Sequence, residues 1–259
     1  MKPNVVFITG ASSGLGEALA REHAGAGDQV VLFARRNSTA LAAELGGLAV
    51  RGDVTRRGDL DRAVRSALKR FGRLDLVYAN AGYGERGRID ELDLKRWKRQ
   101  QAVNVEGLLN TVWACLPALK VSRGRLALVG SVLGFGGVPG NGAYVASKFA
   151  VRGLSQSLYA ELRPLGVSVT HLAPGFFESE FRQRDAQGRL DRSLPDTAPK
   201  GWRIPAAEAA RYARQAVMAR RRERVFPMHG VLAALLYRLL PGPALALGAF
   251  LRQRSAKSR

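Results

Sequence analysis

Seven short apolar runs, rich in β-branched residues, recur along the chain and are separated by segments of helix length. A strand with one face in water alternates apolar and polar residues, whereas these runs are apolar at successive positions, so both strand faces are expected to be buried. Parallel strands covered by helices on both sides meet that requirement. The sequence therefore predicts an α/β fold, a doubly wound parallel sheet of seven strands at 5–8, 30–33, 48–50, 74–78, 126–129, 167–172 and 225–226.

The intervening segments predict the helices and the domain organisation. We expect a helix at each of 14–25, 38–46, 57–71, 91–119, 143–163 and 205–221, the last with Pro205 in its first turn. Hydrophobic residues make up 46% of the chain and charged residues 24%, which excludes a disordered protein. Because no change of composition precedes residue 228, we expect one domain over 1–228 and a C-terminal extension over 229–259.

A glycine-rich turn at residues 9–16 joins the first predicted strand to the first predicted helix. Glycines at such a turn let the backbone approach a pyrophosphate, whose charge the helix N-terminus stabilises. The spacing here is Gly-x3-Gly-x-Gly, which differs from the usual Gly-x-Gly-x2-Gly dinucleotide pattern. The turn predicts a dinucleotide site, and an ordinary strand-to-helix loop is the alternative.

Two arginines, Arg35 and Arg36, follow the second predicted strand. Sites for NAD carry an acidic residue there, which accepts a hydrogen bond from the adenosine ribose. Guanidinium groups instead suit a 2′-phosphate, because they donate planar, bidentate hydrogen bonds. The pair therefore favours NADP(H) over NAD, with two solvated arginines as the alternative.

Tyr144 and Lys148 are four residues apart at the start of a predicted helix, so their side chains share one face. A nearby cation lowers the pKa of a phenol, which otherwise titrates near 10 and exchanges protons poorly at neutral pH. Alone, such a pair is usually a surface contact. Ser131, however, follows the predicted strand at 126–129, at the strand end where open α/β sheets bind ligands, and its hydroxyl can donate to a carbonyl oxygen.

These motifs together resemble the short-chain dehydrogenase/reductase family over about residues 3–228. The resemblance implies a Rossmann-type domain, bound NADP(H), a small carbonyl or alcohol substrate and assembly as a homo-oligomer. Two positions depart from the commonest family pattern: Ala79 replaces an Asn, and Ser179 replaces a Thr but keeps the hydroxyl. The motifs, in chain order, are residues 9–16, Asp53-Val54, Asn80-Ala81-Gly82, Asn104 to Gly107, Gly130-Ser131, Tyr144 to Lys148 and Pro174-Gly175.

The resemblance also implies residue roles. The catalytic set would be Asn104, Ser131, Tyr144 and Lys148, in which Tyr144 donates the proton and Asn104 holds a water. Asp53 and Val54 would hold the adenine ring. The implied cofactor-binding residues are Gly10, Ser12, Ser13, Gly14, Leu15, Gly16, Arg35, Arg36, Asp53, Val54, Asn80, Ala81, Gly82, Tyr144, Lys148, Pro174, Gly175, Phe177 and Ser179.

The expected activity is NADP(H)-dependent interconversion of a ketone or aldehyde and an alcohol by hydride transfer. A lid predicted over about 176–204 carries Phe176, Phe177, Phe181 and Trp202, which favours an apolar or lipid-like substrate. Two alternatives are a non-catalytic dinucleotide-binding or regulatory protein and a nucleic-acid-binding protein. The intact catalytic set disfavours the first. The tail lacks a base-reading module, so we expect no nucleic-acid partner.

Other polar residues predict no further site. The three histidines are far apart in sequence and lack metal-ligand spacing, so no metal site is expected. The single Cys115 can form no intrachain disulfide, and the N-terminus has too short an apolar run for a signal peptide. Both features favour a cytoplasmic protein.

The C-terminal extension combines apolar and basic residues. Its apolar stretch over 231–251 is broken by Pro241-Gly242-Pro243, which argues against a membrane span. From Arg203 to Arg259 there are 12 basic and 2 acidic residues, within a net charge of +20 for the chain. Two interpretations stay open: the extension packs on the domain or a second subunit, or it forms helices that contact a membrane surface.

Overall fold

The computed structural model describes residues 2–183 and 201–246, with the backbone alone at residue 182. Its centre is a seven-stranded sheet in the order β3-β2-β1-β4-β5-β6-β7, with every neighbouring pair parallel, which confirms the predicted fold class. The strands are β1 Val5–Thr9, β2 Gln29–Ala34, β3 Leu48–Arg51, β4 Leu76–Ala79, β5 Arg125–Val129, β6 Ser168–Pro174 and β7 Glu223–Phe226.

Helices cover both faces of this sheet. They are α1 Gly14–Gly25, α2 Thr39–Glu44, α3 Arg57–Phe71, α4 Leu94–Gln101, α5 Gly107–Ser122, α6 Gly142–Leu162, α7 Ala206–Met218 and α8 Met228–Leu239. One apolar layer lies between the sheet and α3, α5 and α6, and a second lies between the sheet and α1 and α7. Burial on both sides explains why β1, β2, β4, β5 and β6 are largely apolar, whereas the edge strands β3 and β7 are only partly buried.

The helix predicted over 91–119 is interrupted. Asp93 accepts a hydrogen bond from the Arg96 backbone N–H and so caps the start of α4. A π-helical turn, Ala102–Glu106, then separates α4 from α5. At the other end of the chain, Pro205 is the N-cap of α7 and precedes the helix, rather than lying in its first turn.

The site is positioned by the point at which the strand order reverses. β1 lies between β2 and β4, so the connections after β1 and β4 leave toward opposite sides of the sheet. This divergence opens a crevice at the carboxyl ends of the strands, where open α/β sheets bind ligands. The turns after β1, β2, β4 and β5, which carry the predicted motifs, all lie along that edge.

The described part of the C-terminal extension is helical. α8 contacts β7 and the turn Val132–Gly134, and residues 241–246 form a further helical segment. The rest of the extension, 247–259, lies outside the described residues, as do residues 184–200 of the predicted lid. Since α8 begins at Met228, the proposed boundary between 228 and 229 falls in its first turn, and the division into two parts stays a prediction.

Among the described helices, one stretch is long and apolar enough to cross a membrane by length and composition, Leu94–Ser122. It contributes Leu108, Val112, Cys115 and Leu119 to the layer beneath the sheet. This burial is that of a core helix, so the stretch is weak evidence for a span.

Candidate active site

The glycine turn after β1 is fixed by β4. Asn80 donates a side-chain hydrogen bond to the Thr9 carbonyl oxygen at 2.8 Å, and Thr9 Oγ1 accepts the backbone N–H groups of Asn80 and Ala81. Gly10 has a φ of +68°, and a Cβ added to Gly16 would lie 2.3 Å from the Gly10 carbonyl oxygen. Both glycines are therefore needed for α1 to start so close to β1, which leaves its N-terminus facing the crevice.

Arg36 extends from the end of β2 to the same turn. Its guanidinium donates to Ser12 Oγ at 3.1 Å and to Ser13 Oγ at 2.5 Å. Arg35 is exposed, and its carbonyl oxygen accepts a hydrogen bond from Arg51 of the neighbouring β3 at 2.9 Å. The two arginines thus put positive charge at the edge of the crevice, beside the glycine turn.

A cleft runs from these arginines along the ends of the strands. The lining includes nine of the predicted cofactor residues: Gly10, Ser12, Ser13, Arg35, Arg36, Asp53, Val54, Ala81 and Gly82. The side chain of Asp53 accepts both the N–H and the hydroxyl of Thr55, which fixes the turn after β3. The lining also includes residues that the motifs did not identify: Phe33, Ala34, Gly52, Tyr83 and Val103.

Tyr144 and Lys148 lie in the first two turns of α6. Lys148 Nζ is 5.5 Å from the centre of the Tyr144 ring and donates to the Val129 carbonyl oxygen at 2.9 Å. Burial lowers the pKa of Lys148 to about 8, because an ammonium group loses hydration there. The predicted pairing of phenol and ammonium is therefore present, with the ammonium buried at the end of β5.

Ser131 lies two residues after Val129, the end of β5, and is buried. Its Oγ accepts a hydrogen bond from the Leu133 backbone N–H at 3.1 Å, which leaves the hydroxyl proton for another acceptor. The turn that begins there, Val132–Gly134, contacts α6. Ser131 and the α6 pair therefore belong to one packed unit.

Asn104 is buried in the π-helical turn. Its amide donates to the Tyr83 carbonyl oxygen and to Ser147 Oγ, each at 3.0 Å, and its oxygen accepts the Tyr83 N–H. A Cβ added to Gly82 would lie 3.2 Å from Asn104 Oδ1 and 3.8 Å from Lys148 Nζ. Asn104 and Lys148 therefore both approach the chain at Gly82, and π-turns of this kind are frequent at functional sites.

The segment that follows β6 reaches the start of α1, at the edge of the cleft. Pro174 ends β6, Gly175 donates to the Phe226 carbonyl oxygen, and Phe177 pairs with Ile204 and packs on the apolar layer beneath α1 and α7. A Cβ added to Gly14 would lie 3.5 Å from that of Ser179. Ser179 therefore lies against the start of α1, whereas Phe177 contributes to packing.

Phe181 stands over the Tyr144 ring. The ring centres are 5.8 Å apart and the planes meet at 61°, an edge-to-face contact. Phe181 also lines the cleft, and a Cβ added to Gly84 would lie 3.1 Å from its ring. Phe181, an aromatic residue of the predicted lid, therefore forms an apolar wall of the cleft next to Tyr144.

The histidines have partners within the protein. His23 contacts Asp28 at 2.7 Å and the Tyr78 hydroxyl at 2.9 Å, and His171 contacts Glu223 at 3.0 Å. Within residues 2–183 and 201–246, the His, Cys, Asp and Glu side chains form no group suited to a metal ion. Cys115 is buried, which raises the pKa of its thiol and disfavours the reactive thiolate.

The fold and cleft define a doubly wound α/β protein with a dinucleotide-type site. Residues 4–189 match the family model described as short chain dehydrogenase. The chain belongs to the short-chain dehydrogenase family. It is thereby an oxidoreductase that acts on alcohol or carbonyl groups with a nicotinamide dinucleotide.

Individual proteins show the same relationship. The chain is 34% identical over 188 residues to an uncharacterized oxidoreductase of Staphylococcus epidermidis, covering 71% of this chain and 82% of that protein. It is 36% identical over 188 residues to 11-beta-hydroxysteroid dehydrogenase A of Sesamum indicum, covering 69% of this chain and 54% of that protein. A short chain dehydrogenase/reductase of Burkholderia phymatum, solved with NAD, superposes with a TM-score of 0.80 at 27% identity, covering 91% and 92% of the two chains.

Proposed function

We propose that the protein is an NADP(H)-dependent reductase or dehydrogenase that interconverts an apolar, lipid-like ketone or aldehyde with its alcohol. The observation that carries the proposal is the contact of Tyr144 with the buried ammonium of Lys148, 5.5 Å from the ring centre, at the strand end that bears Ser131. A cation close to a phenol stabilises the phenolate, and burial of this ammonium reduces the screening of its charge by water. The tyrosine thereby becomes able to exchange a proton at neutral pH.

The cleft fits a nicotinamide dinucleotide. Gly10, Ser12 and Ser13 line the cleft, and α1 begins directly after them at Gly14, so its N-terminal backbone N–H groups would bind a pyrophosphate there. When bound, the nicotinamide ring supplies or accepts the hydride. The residues that would hold the cofactor are those of the glycine turn, Asp53, Val54 and residues 80–82.

Side chains of this protein would transfer the proton. Ser131 would donate a hydrogen bond from its hydroxyl to the substrate oxygen and so stabilise the charge that develops there. Tyr144 would give its proton to that oxygen in reduction and take it back in oxidation. Lys148 would hold the tyrosine pKa down, and Asn104, bonded to Ser147 at 3.0 Å, would position the water that returns the proton.

NADP(H) is proposed over NAD because of the charge beside the glycine turn. Arg36 already contacts both serines of that turn, and Arg35 is exposed next to it. A 2′-phosphate there would accept charge-assisted hydrogen bonds, whereas the acidic residue that an NAD ribose uses is absent from the end of β2. The Burkholderia neighbour was solved with NAD, so the preference of this chain rests on its two arginines.

An apolar substrate is proposed because aromatic side chains border the space above Tyr144. Phe181 contacts the Tyr144 ring, and the predicted lid also carries Phe176 and Trp202, whose rings pack on His229. The Sesamum relative is named for a hydroxysteroid, which is an apolar alcohol. A homo-oligomeric state and a cytoplasmic location stay predictions.

A cofactor-oxidation screen tests the proposal. Purified protein is mixed with NADPH and a series of methyl ketones and aldehydes of increasing chain length, and absorbance loss is followed. We expect turnover that improves with chain length, since each buried methylene contributes about 0.8 kcal/mol. Cofactor binding without turnover of any member would instead support a non-catalytic dinucleotide-binding protein.

A further inference from the structure

The outer face of α8 is an apolar stripe in contact with solvent. Met228, Leu232, Leu235 and Leu239 follow the spacing i, i+4, i+7 and i+11, and their exposed fractions are 71%, 62%, 44% and 75%. Three more leucines extend the surface: Leu236, Leu240 and Leu245. A surface helix normally turns polar residues outward, so a contiguous apolar face marks an interaction surface. We call these seven residues the α8 stripe.

The inner face of α8 is held firmly to the domain. A Cβ added to Gly230 would lie 2.9 Å from Val132 Cγ2, so the glycine lets the helix approach closely. Tyr237 donates its hydroxyl proton to the Gly137 carbonyl oxygen at 3.3 Å, and Arg238 pairs with Glu223 of β7. These contacts fix the orientation of the helix, so the α8 stripe faces outward.

The first turn of α8 lies beside two segments next to the site, the turn after Ser131 and the segment after β6. Val132, which contacts Gly230, directly follows Ser131 in the chain. His229, in the first turn of α8, packs its ring 5.6 Å from Phe176 and 5.3 Å from Trp202. Trp202 is 54% exposed and so continues the apolar surface toward the segment that follows β6.

The length of α8 and the positive charge of the chain indicate that the α8 stripe binds a lipid surface. α8 has 12 residues, about 18 Å of helix, which is too short for a bilayer core of about 30 Å and suits a helix lying in the interface. Residues 201–246 carry eight basic and two acidic side chains. The whole chain carries a net charge of +20, so a second copy would be repelled whereas anionic headgroups would attract the protein.

We propose that the α8 stripe docks the protein on an anionic lipid surface, with the segment that carries Phe176 and Trp202 near the headgroups, and that the apolar substrate enters from the bilayer. The entry of substrate from the bilayer rests on the proposed function, whereas the docking on lipid does not.

Vesicle flotation of the full-length protein tests the docking. The vesicles contain phosphatidylcholine alone or with about 30% phosphatidylglycerol. The test variant is Leu232→Ser/Leu239→Ser, which we call the α8 variant. The control variant is Val121→Ser/Leu165→Ser, which removes exposed apolar side chains from α5 and the turn Arg163–Leu165. We expect flotation with the anionic vesicles, weakened by 0.5 M salt. The α8 variant should bind at least about tenfold less, because it loses two side chains whose burial contributes about 1.5 kcal/mol or more each, and the control variant should bind normally.

Turnover and mass measurements separate the outcomes. The α8 variant should reduce a water-soluble short-chain ketone at the normal rate and a long-chain ketone held in vesicles at least about tenfold more slowly. No flotation, equal loss in the control variant, or a dimer by light scattering that the α8 variant converts to monomer would overturn the docking. Normal flotation with no turnover of either ketone would contradict the proposed function and leave the docking supported.

Discussion

The ammonium nitrogen of Lys148 lies 5.5 Å from the centre of the Tyr144 ring while it donates a hydrogen bond to the backbone carbonyl of Val129. The lysine is buried, so its charge acts through a medium that screens it much less than water does. Helix spacing brings the two side chains together, and β5 supplies the carbonyl that holds the ammonium. The pair is therefore set by the junction of α6 with β5, next to Ser131.

Cofactor preference should depend on Arg35 and Arg36. The unmodified protein should bind NADPH more tightly than NADH, and Arg35→Ala/Arg36→Ala should lose about tenfold to a hundredfold of that preference, because hydrogen bonds to charged groups contribute about 1.5–3 kcal/mol each. Fluorescence titration of both cofactors measures the ratio. The matched control is Arg163→Ala/Arg211→Ala, which removes the same charge from exposed positions outside the cleft lining. Equal affinities of the unmodified protein for the two cofactors would refute the assignment.

Stability at high pH should report the burial of Lys148. Its pKa is lowered by burial from 10.5 to about 8, so below pH 8 the folded state holds a charged, poorly hydrated ammonium. As the pH rises from 8 to 10.5 the folded protein loses this proton before the unfolded chain does, so this group's contribution to the free energy of unfolding rises, by up to about 3 kcal/mol.

The comparison of unmodified protein with Lys148→Met isolates that contribution from other groups. Denaturant unfolding at several pH values should show a stability difference in favour of the variant near pH 7 that shrinks toward pH 10.5. Buried tyrosines titrate in both proteins and cancel in the difference. A difference that does not change with pH would mean that the lysine is not buried as a cation.

Gly130 should be intolerant of any side chain. A Cβ added there would lie 2.2 Å from His171 Nε2, and the ring of His171 is held by Glu223 at 3.0 Å. Gly130→Ala should therefore destabilise the protein by about 1–3 kcal/mol and displace the adjacent Ser131. Gly153→Ala is the control, since its Cβ would meet no atom within 4 Å and the position is helical.

Relief of that clash provides a second check. In the background His171→Ala, the further change Gly130→Ala should cost much less than it does alone, and thermal melting of the four proteins gives the coupling. Additive effects would show that the histidine ring does not fill this space.

Sequence patterns predicted the sheet because its central strands are buried on both faces and are therefore largely apolar. The helix at 57–71 was also predicted with its observed bounds, since its apolar residues recur on one face and Gly72 follows its end. The π-turn that holds Asn104 was not predicted, because one extra residue in a helix barely alters the apolar periodicity. The motif around Asn104 nevertheless identified the residue itself.

The sequence patterns did not predict the contacts between segments that are distant along the chain. Arg36 was expected at the cleft, but its hydrogen bonds to Ser12 and Ser13 cross from β2 to the turn after β1. Tyr83 lines the cleft because Asn104, 21 residues later, fixes its backbone. Such pairs depend on strand order, which local patterns do not encode.

Proton transfer by Tyr144 underlies the proposed activity, and the variant Tyr144→Phe removes the group that would transfer the proton. Phenylalanine keeps the ring that contacts Phe181 and removes only the hydroxyl, so the fold and NADPH affinity should be retained. With the best ketone from the screen, kcat/KM should fall at least about 10²-fold, the lower end of general-acid contributions. Tight NADPH binding with that loss is the predicted result, and turnover within a few fold of the unmodified protein would contradict the account.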